Sequence, residues 1–318
     1  MKNFGLLGVG GYIAPRHLKA IKDTGNLLMC SADVNDSVGV IDQYFPHSEF
    51  FLNTEDFVEC LSRNFRENNP EKLDYISICT PNYLHGSHIR LALRNGADAI
   101  CEKPMVLSPW ELDDLERLES ESGKKIYTIL QLRHHDRLVG FKNFLNGESF
   151  KKKKNVQLTY ITGRGKWYNQ SWKGDIEKSG GIATNIGIHL FDLLIWYFGN
   201  IQNIEVHIAG KDKMAGFIEL EKAYVRWFLS IDFNDLPDDV KGKKNTFRDI
   251  KIDDVELEFS EGFTDLHTVV YKNILEGRGI GIEEARPSVE LVNKIKQSPA
   301  VINIETLHPM AKKNLNIK

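Results

Sequence analysis

The sequence predicts an α/β protein in which a doubly wound parallel sheet is followed by an α+β domain with a mostly antiparallel, open sheet. Up to about residue 132, short apolar runs alternate with longer amphipathic stretches, which is typical of βαβ units. After Lys154 the apolar runs become longer and alternate with polar residues, which indicates strands with one buried face. A glycine-rich turn follows the first apolar run directly, as in parallel sheets that bind a ligand at a strand end.

The composition excludes several classes of protein. The chain has 318 residues, of which 42% are hydrophobic and 27% charged, as in a globular protein of two domains. A formal net charge of -3 gives no general attraction for nucleic acid or an anionic membrane, so we expect neither as a partner and expect a small ligand. The N-terminus lacks the pattern of a signal peptide, and the four cysteines form no C-x-x-C pair. We therefore expect a cytoplasmic protein with reduced thiols and no bound metal.

The elements of the first domain, which we predict to span residues 1–125, follow from the apolar runs. Most of these runs lack polar alternation, because helices cover both faces of a doubly wound sheet. Between them lie helix-period patterns, two of which end near Gly25 and Gly96. The predicted strands are Phe4 to Gly8, Leu27 to Ala32, Tyr75 to Cys79, Ala99 to Cys101 and Tyr127 to Leu132, and the predicted helices are His17 to Lys22, His85 to Asn95 and Trp110 to Ser122.

The second domain, predicted over residues 126–318, carries the alternating strands. Such a sheet packs one face on helices and leaves the other face able to meet a second subunit, so we expect substrate binding and self-association here. The predicted strands are Val156 to Thr162, Ile204 to Ile208, Ala223 to Ile231 and Val255 to Phe259, and the predicted helices are His267 to Leu275 and Glu283 to Lys296.

The turn after the first strand predicts a dinucleotide site. Gly8, Gly10 and Gly11 would let backbone N–H groups approach a pyrophosphate at the start of the next helix. The third glycine of a G-x-G-x-x-G pattern would fall at Ile13, so we interpret the loop as one residue longer, with Tyr12 and Ile13 among the cofactor contacts. By itself such a loop is equally consistent with an ordinary tight turn, and its context decides between the two.

The second predicted strand leads to Asp33, about twenty residues further on, where a carboxylate can accept hydrogen bonds from both ribose hydroxyls of an adenosine. Helix capping is the alternative role. Val34 and Asn35 follow, with no arginine beside them for a 2′-phosphate. The sequence therefore favours NAD over NADP, with Asn35 near the same ribose.

Further polar residues follow the later strands, at the edge where open parallel sheets bind ligands. The capping of the following helix is an equal alternative for Asn82 and His85. Gln131 ends the last predicted strand and could reach a nicotinamide carboxamide, although an ordinary buried amide is the competing interpretation. The predicted cofactor contacts of this edge are Thr80, Asn82, His85, Glu102, Lys103 and Gln131.

Lys103 is the first candidate for chemistry. An ammonium held between a strand end and Pro104 can polarise a carbinol oxygen and stabilise alkoxide character as a hydride leaves. The alternative is a solvated surface lysine.

The glycine loop, Cys101-Glu102-Lys103-Pro104 and the stretch from Gly180-Gly181 to His189 together resemble the Gfo/Idh/MocA family of oxidoreductases, and the resemblance covers nearly the whole chain. It implies an N-terminal Rossmann domain that binds NAD and a catalytic Lys103 in the E-K-P motif. The D-x-x-x-H motif of the family falls on Asn185 and His189, which would share one face of a helix and point together at the substrate. Asn185 replaces the usual aspartate and cannot accept a proton, so His189 is left as the general base, with a core or capping role as its alternative.

Longer motifs resemble the WlbA/WbpB branch of the family. They include the runs from Gly11 to His17, Trp167 to Asp175 and Gly262 to His267. That branch oxidises the C3 hydroxyl of UDP-N-acetylglucosaminuronic acid, and the 3-keto sugar leads by aminotransfer to the diacetamido uronic acids of bacterial lipopolysaccharide O-antigen. The resemblance also implies a homotetramer. Whether NADH leaves after each turnover or is reoxidised in place by 2-oxoglutarate stays open.

A nucleotide-sugar acid brings a diphosphate and a carboxylate, so its pocket needs cations and an aromatic surface. A solvated basic sheet edge is the alternative for the residues that offer both. Two other functions compete: a dehydrogenase of a free sugar or inositol, and an inactive regulator that senses NAD. The predicted substrate contacts are Lys103, Arg164, Tyr168, Trp172, Lys173, Lys178, Asn185 and His189.

Overall fold

The computed structural model describes residues 1–64, 72–257, 259, 263 and 265–317. Contacts divide the chain into two units, Met1–His134 with Phe263–Arg286 and His135–Gly262 with Pro287–Lys318. The first unit thus ends later than the predicted boundary and includes a segment that the sequence placed in the second domain. The reason is packing, because Val270, Tyr271 and Ile274 of that segment are buried in the hydrophobic core of the first unit.

The first unit is a doubly wound parallel sheet over the described residues, as predicted. Its strands are β1 (Asn3–Leu7), β2 (Leu27–Ala32), β3 (Glu49–Phe51), β4 (Tyr75–Ile78), β5 (Asp98–Cys101) and β6 (Ile126–Thr128), and its helices are α1 (Ala14–Asp23), α2 (Val40–Tyr44), α3 (Thr54–Asn64), α4 (His85–Arg94), α5 (Pro109–Ser122) and α10 (Leu266–Leu275). The strands pair in the order β3-β2-β1-β4-β5-β6. The winding reverses between β1 and β4, and ligands of such sheets bind outside the carboxyl ends of the strands at this switch point.

One predicted strand ends earlier than expected. The run Tyr127 to Leu132 was predicted as a strand, but β6 ends at Thr128, where it pairs with Cys101, the last residue of β5. With no further partner to pair with, the chain turns into a 3₁₀ helix over Gln131–His134. Gln131 therefore lies in a turn beyond the sheet edge rather than at a strand end.

The second unit contains the mostly antiparallel sheet that the sequence predicts. Its strands are β7 (Lys154–Thr162), β8 (Ile201–Ala209), β9 (Lys213–Leu220), β10 (Ala223–Ser230), β11 (Thr246–Ile252) and β12 (Val255–Glu256), and its helices are α6 (Asp136–Gly147), α7 (Trp167–Gln170), α8 (Ile176–Ser179), α9 (Ile188–Phe198), α12 (Pro309–Asn314) and most of α11 (Ile282–Gln297). Over the described residues the strands pair in the order β12-β11-β7-β10-β9-β8, and only β7 with β10 is a parallel pair.

Two segments predicted in this region include residues that the structure does not describe. The strand predicted from Val255 to Phe259 ends at Glu256, and residue 258 is not described. Residues 262 and 264 of the motif that ends at His267 also lie outside the described residues. The described part of that motif leads into α10.

One apolar stretch, Ile176–Phe198, has the length and composition of a membrane span, but 83% of its most apolar window is buried inside the structure. Its rings pack on the sheet: Phe191 meets Trp227 of β10 edge to face, with ring centroids 5.3 Å apart. This burial is that of a core helix.

Candidate functional site

The glycine turn after β1 is shaped by close backbone approach. Gly8 has a φ of 85°, and a Cβ added there would lie 2.7 Å from the carbonyl carbon of Cys79. A Cβ on Gly11 would lie 3.0 Å from the carbonyl oxygen of Gly8. Glycines therefore allow the turn to pack against the chain that leaves β4, at the start of α1, where the N–H groups of such a turn can bind an anionic ligand.

The Asp33 carboxylate lies beside this turn. One of its oxygens accepts a hydrogen bond from the Gly10 N–H at 2.9 Å, and the other accepts one from the Asn35 N–H at 2.9 Å. The Oδ1 also accepts from the Asn35 Nδ2 at 3.3 Å, whereas the Oδ2 retains a further lone pair with which to accept a ribose hydroxyl. Of the neighbouring predictions, Tyr12 is 92% exposed and the Ile13 side chain packs against the core.

Beyond β4, the His85 ring joins the two neighbouring strand ends. Its Nδ1 lies 2.6 Å from the carbonyl oxygen of Pro104, and its Nε2 lies 2.8 Å from that of Thr80. Burial lowers the pKa of His85, although the hydrogen bonds to the Pro104 and Thr80 carbonyls by themselves would raise it. The structure therefore brings Thr80, His85 and Pro104 together, with His85 holding the loop that carries Lys103. Asn82 is buried and begins the short 3₁₀ helix Asn82–Leu84, which directly precedes His85.

Glu102 and Lys103 leave the end of β5 in different environments. Glu102 is 7% exposed, and its Oε1 lies 3.1 Å from the Nε2 atoms of both His17 and His267. Lys103 is half-buried and precedes Pro104 through a cis peptide bond. Sequence reasoning assigned no role to His17 or His267, although both lie within the motifs that resemble the WlbA/WbpB branch.

Gln131 offers a buried amide oxygen. Among the described residues, its Oε1 has no hydrogen-bond partner. A buried acceptor without a donor is costly, so such an atom is expected to meet a ligand or an ordered water. The carboxamide N–H of a nicotinamide is a donor of the required kind.

In the second unit, Asn185 and Tyr168 form a buried pair. The Asn185 Nδ2 donates to the Tyr168 Oη at 2.7 Å, and burial raises the pKa of the Tyr168 phenol. In this arrangement the phenol keeps its own hydrogen for a further acceptor.

The helix that carries Asn185 and His189 differs from the expected α-helix. Ala183–Gly187 forms a π-helical turn, and α9 begins at Ile188. Hydrogen bonds in a π turn run from residue i to i+5, which widens the helix at Asn185, while His189 lies in the first turn of α9. That the two side chains point together at the substrate stays a prediction. Gly187 allows the close approach of this turn to the sheet, since a Cβ there would lie 2.6 Å from the Cδ1 of Leu229.

The predicted cationic residues lie on the loop and short helices that follow β7. Arg164 and Lys178 are exposed, and the Lys178 Nζ lies 3.8 Å from a carboxylate oxygen of Asp175. The Lys173 Nζ lies 4.1 Å from the centre of the Trp172 ring. The segment thus combines cations with an aromatic surface, and its contact with substrate stays a prediction.

Both units match known families over most of their length. A family described as "Oxidoreductase family, NAD-binding Rossmann fold" matches residues 2–130, and "Oxidoreductase family, C-terminal alpha/beta domain" matches residues 142–297. The chain belongs to the Gfo/Idh/MocA family. The resemblance inferred from the motifs is confirmed, and so are NAD as cofactor and oxidoreductase as class.

Among Gfo/Idh/MocA structures, the chain is similar to the WlbA (WbpB) dehydrogenase from Thermus thermophilus. The complex of that protein with NAD and alpha-ketoglutarate is 48% identical, covers 97% of this chain and 99% of its own, and has a TM-score of 0.94. Its complex with NAD and UDP-GlcNAcA has the same identity and coverage and a TM-score of 0.93. The predicted WlbA/WbpB branch is thereby confirmed.

More distant Gfo/Idh/MocA relatives are less identical in sequence and match a smaller part of the chain. The glucose-6-phosphate 3-dehydrogenase of Bacillus subtilis is 25% identical over 211 residues, which are 62% of this chain and 53% of that protein. The chain thus spans about half the length of that curated relative. The NAD that the family binds fits the first unit, where the glycine turn, the Asp33 carboxylate and the buried Gln131 oxygen, which has no hydrogen-bond partner among the described residues, are the groups to hold it.

Proposed function

We propose that this protein uses NAD to oxidise the C3 hydroxyl of UDP-N-acetylglucosaminuronic acid to the 3-keto sugar. The observation that carries the proposal is the 48% identity, over 97% of the chain, to a dehydrogenase crystallised with NAD and UDP-GlcNAcA. This similarity extends over both units.

The first unit would hold the cofactor, which when bound supplies the hydride acceptor. The N–H groups of the glycine turn would face the diphosphate, with the dipole of α1 favouring its charge. Asp33 would accept the adenosine ribose hydroxyls and repel a 2′-phosphate. Gln131 would accept a hydrogen bond from the carboxamide.

Proton transfer and charge stabilisation would be divided between Lys103 and His189. The His189 imidazole takes the proton of the C3 hydroxyl, because imidazole titrates near neutral pH. The Lys103 ammonium stabilises the developing alkoxide oxygen. Asn185 has no basic atom, so its role is to orient the substrate from a position fixed by its hydrogen bond to Tyr168.

Substrate recognition would rest on the segment after β7. Arg164, Lys173 and Lys178 offer cations for the diphosphate and the uronate carboxylate, and Trp172 and Tyr168 offer rings to the sugar and uracil. A neutral analogue would deprive such a pocket of the carboxylate that its cations bind, so the carboxylate should be required.

The cellular setting follows from the product. A 3-keto sugar is the substrate of an aminotransferase, and we place the reaction in the cytoplasm, in the biosynthesis of diacetamido uronic acids for lipopolysaccharide O-antigen. We further propose a homotetramer assembled through the open sheets. NADH would be reoxidised by 2-oxoglutarate, which becomes 2-hydroxyglutarate, and the relative crystallised with NAD and alpha-ketoglutarate supports this step.

The test is the absorbance of NADH after purified protein is mixed with NAD and candidate sugars. With UDP-N-acetylglucosaminuronic acid we expect one equivalent of NADH per active site. Added 2-oxoglutarate should remove this absorbance, and 3-keto sugar and 2-hydroxyglutarate should then accumulate over many turnovers. UDP-N-acetylglucosamine, which lacks the carboxylate, is the matched control and should be a poor substrate. Comparable specificity constants for the acid and the neutral sugar, or faster oxidation of a free sugar or inositol, would contradict the proposal.

A further inference from the structure

The buried carboxylate of Glu102 is the centre of a hydrogen-bond network in the first unit. Its Oε1 meets the Nε2 atoms of His17, on α1, and His267, on α10, at 3.1 Å each. Its Oε2 accepts the backbone N–H of Lys103 at 3.2 Å. The network continues from the His17 Nδ1 to the Tyr271 Oη at 2.7 Å and from there to the Ser77 Oγ at 2.6 Å.

The protons of this network can be placed by elimination. Burial by itself would raise the pKa of Glu102, but the hydrogen bonds from the two histidines outweigh it and hold that pKa well below its usual range. Burial lowers the pKa of His17, which favours its neutral form. A neutral His17 donates its Nε2–H to Glu102 and accepts the Tyr271 O–H at Nδ1, and Tyr271 in turn accepts the Ser77 O–H. The polar hydrogens of the His17, Tyr271 and Ser77 side chains then all have acceptors.

The network is built to hold Glu102 in place rather than to move a proton. It runs inward to Ser77, which has no exposed surface, so a proton has no exit to solvent at that end. The two histidines hold the Glu102 side chain in the interior, and the hydrogen bond from the Lys103 N–H to the Glu102 Oε2 ties the backbone of Lys103 to this fixed carboxylate.

We propose that His17 and His267 are positioning residues for Lys103, acting through Glu102. The proposal rests on the assignment of Lys103 as a catalytic residue in the proposed function. It explains why α10 returns to the first unit: this helix delivers the second histidine to the residue that precedes the catalytic lysine. His17 and His267 are themselves buried, and their effect on Lys103 passes through Glu102.

A metal ion is the competing explanation for the same cluster. The ligand atoms of His17, Glu102 and His267 lie within 4.8 Å of one another, a spacing that a divalent ion could use. Both histidines would then have to present lone pairs at Nε2. The hydrogen-bonded arrangement needs no ion to satisfy these three side chains, and we therefore favour it.

The kinetic test compares two substitutions at one position. His267→Phe keeps a ring but removes the donor, whereas His267→Gln keeps an N–H donor. We expect His267→Phe to lower kcat by roughly 10- to 100-fold, because a small misplacement of a catalytic group has effects of this size. The KM values for NAD and sugar should change little. His267→Gln should keep most of the wild-type kcat. His308→Phe, which removes a buried histidine of the second unit, should leave kcat near the wild-type value. Equal rates for the Phe and Gln variants at His267 would overturn the proposal.

The second readout needs no substrate. Amide hydrogen exchange, followed by mass spectrometry, should be faster in the peptide that contains Lys103 in His267→Phe and unchanged in His308→Phe. If His267→Phe does not fold, Glu102→Gln, which keeps the side-chain volume and removes the charge, should give the same faster exchange and lower kcat. Unchanged exchange in that peptide would overturn the proposal. It would also be overturned if the wild-type protein contained one equivalent of a divalent metal and the His267→Phe variant did not. A wild-type protein inactive on every sugar would refute the proposed function, and the exchange result would still decide whether the network holds Lys103.

Discussion

The Asp33 carboxylate accepts a hydrogen bond of 2.9 Å from the backbone N–H of Gly10, so the acidic residue after β2 and the glycine turn after β1 form one structure. The two positions are 23 residues apart in the sequence. The bond places a fixed negative charge next to the backbone that would receive the cofactor diphosphate. Cofactor choice should therefore depend on this one side chain.

Asp33 should make the protein selective for NAD over NADP, because its charge repels a 2′-phosphate. Asp33→Ala should weaken NAD binding by roughly 1–3 kcal/mol through the loss of charge-assisted hydrogen bonds, and should reduce the discrimination against NADP. Dissociation constants for both cofactors, measured by calorimetry, check this. The exposed Asp36→Ala is the control and should change neither constant. Equal binding of NAD and NADP by the wild-type protein would refute the assignment.

Gly8→Ala should be strongly unfavourable. Its φ of 85° is rare for residues with a side chain, and the new Cβ would lie 2.7 Å from the carbonyl carbon of Cys79. We expect a loss of about 1–3 kcal/mol in the free energy of unfolding, together with weaker NAD binding. Gly39→Ala is the matched control, because a Cβ there meets nothing within 4 Å and φ is -54°. Urea unfolding of the two variants should separate them, and equal stabilities would show that the turn tolerates a side chain.

His189→Ala should reduce hydride transfer by about 10²- to 10⁴-fold, since removal of a general base has effects of this size. Substrate binding should change far less, because the imidazole matters most as the proton moves. Lys103→Met should act similarly through the loss of alkoxide stabilisation. Single-turnover rates with a deuterium label at C3 exclude product release from the measurement. The exposed His47→Ala and Lys241→Met serve as controls. If His189→Ala kept its rate and its pH profile, another group would have to be the base.

Stability should fall in acid because of His308. Its Nδ1 accepts the N–H of Met310 at the start of α12, and its Nε2 lies 3.2 Å from the Thr159 Oγ1. Burial lowers the pKa of His308 to about 3. Below about pH 6.5 the unfolded chain binds a proton at this residue and the folded chain does not, so stability is lost as the pH falls from there toward 3.

The size of this effect can be isolated by substitution. Across that range His308 should contribute a slope of up to about 1.4 kcal/mol per pH unit. Urea unfolding should be measured from roughly pH 7 to roughly pH 4, a range that includes the ordinary histidine pKa. The free energy of unfolding should depend less steeply on pH for His308→Gln than for the wild-type protein. Parallel curves for the two proteins would mean that His308 accepts a proton in the folded state.

Local sequence determined the elements with strong patterns. The run Leu27 to Ala32 is β2 residue for residue, and the region predicted from Trp110 to Ser122 is α5 extended by one residue. The glycine turn was also visible, because only glycine allows such a close backbone approach. The short β3, with three residues, and α2, with five, were not predicted, because elements of this length contain too little hydrophobic periodicity to recognise.

The tertiary structure alone decided which distant residues meet. His17, Glu102 and His267 lie in motifs that are visible in the sequence, but the pairing of both histidines with one buried carboxylate depends on where α10 packs. The π turn at Asn185 was equally hidden, and its Gly187 lies against Leu229 of β10, a contact between distant parts of the chain. Hydrophobic periodicity depends on neighbours along the chain and can be read from the sequence. Contacts between residues that are far apart in the chain depend on how the elements pack, and no local pattern specifies them.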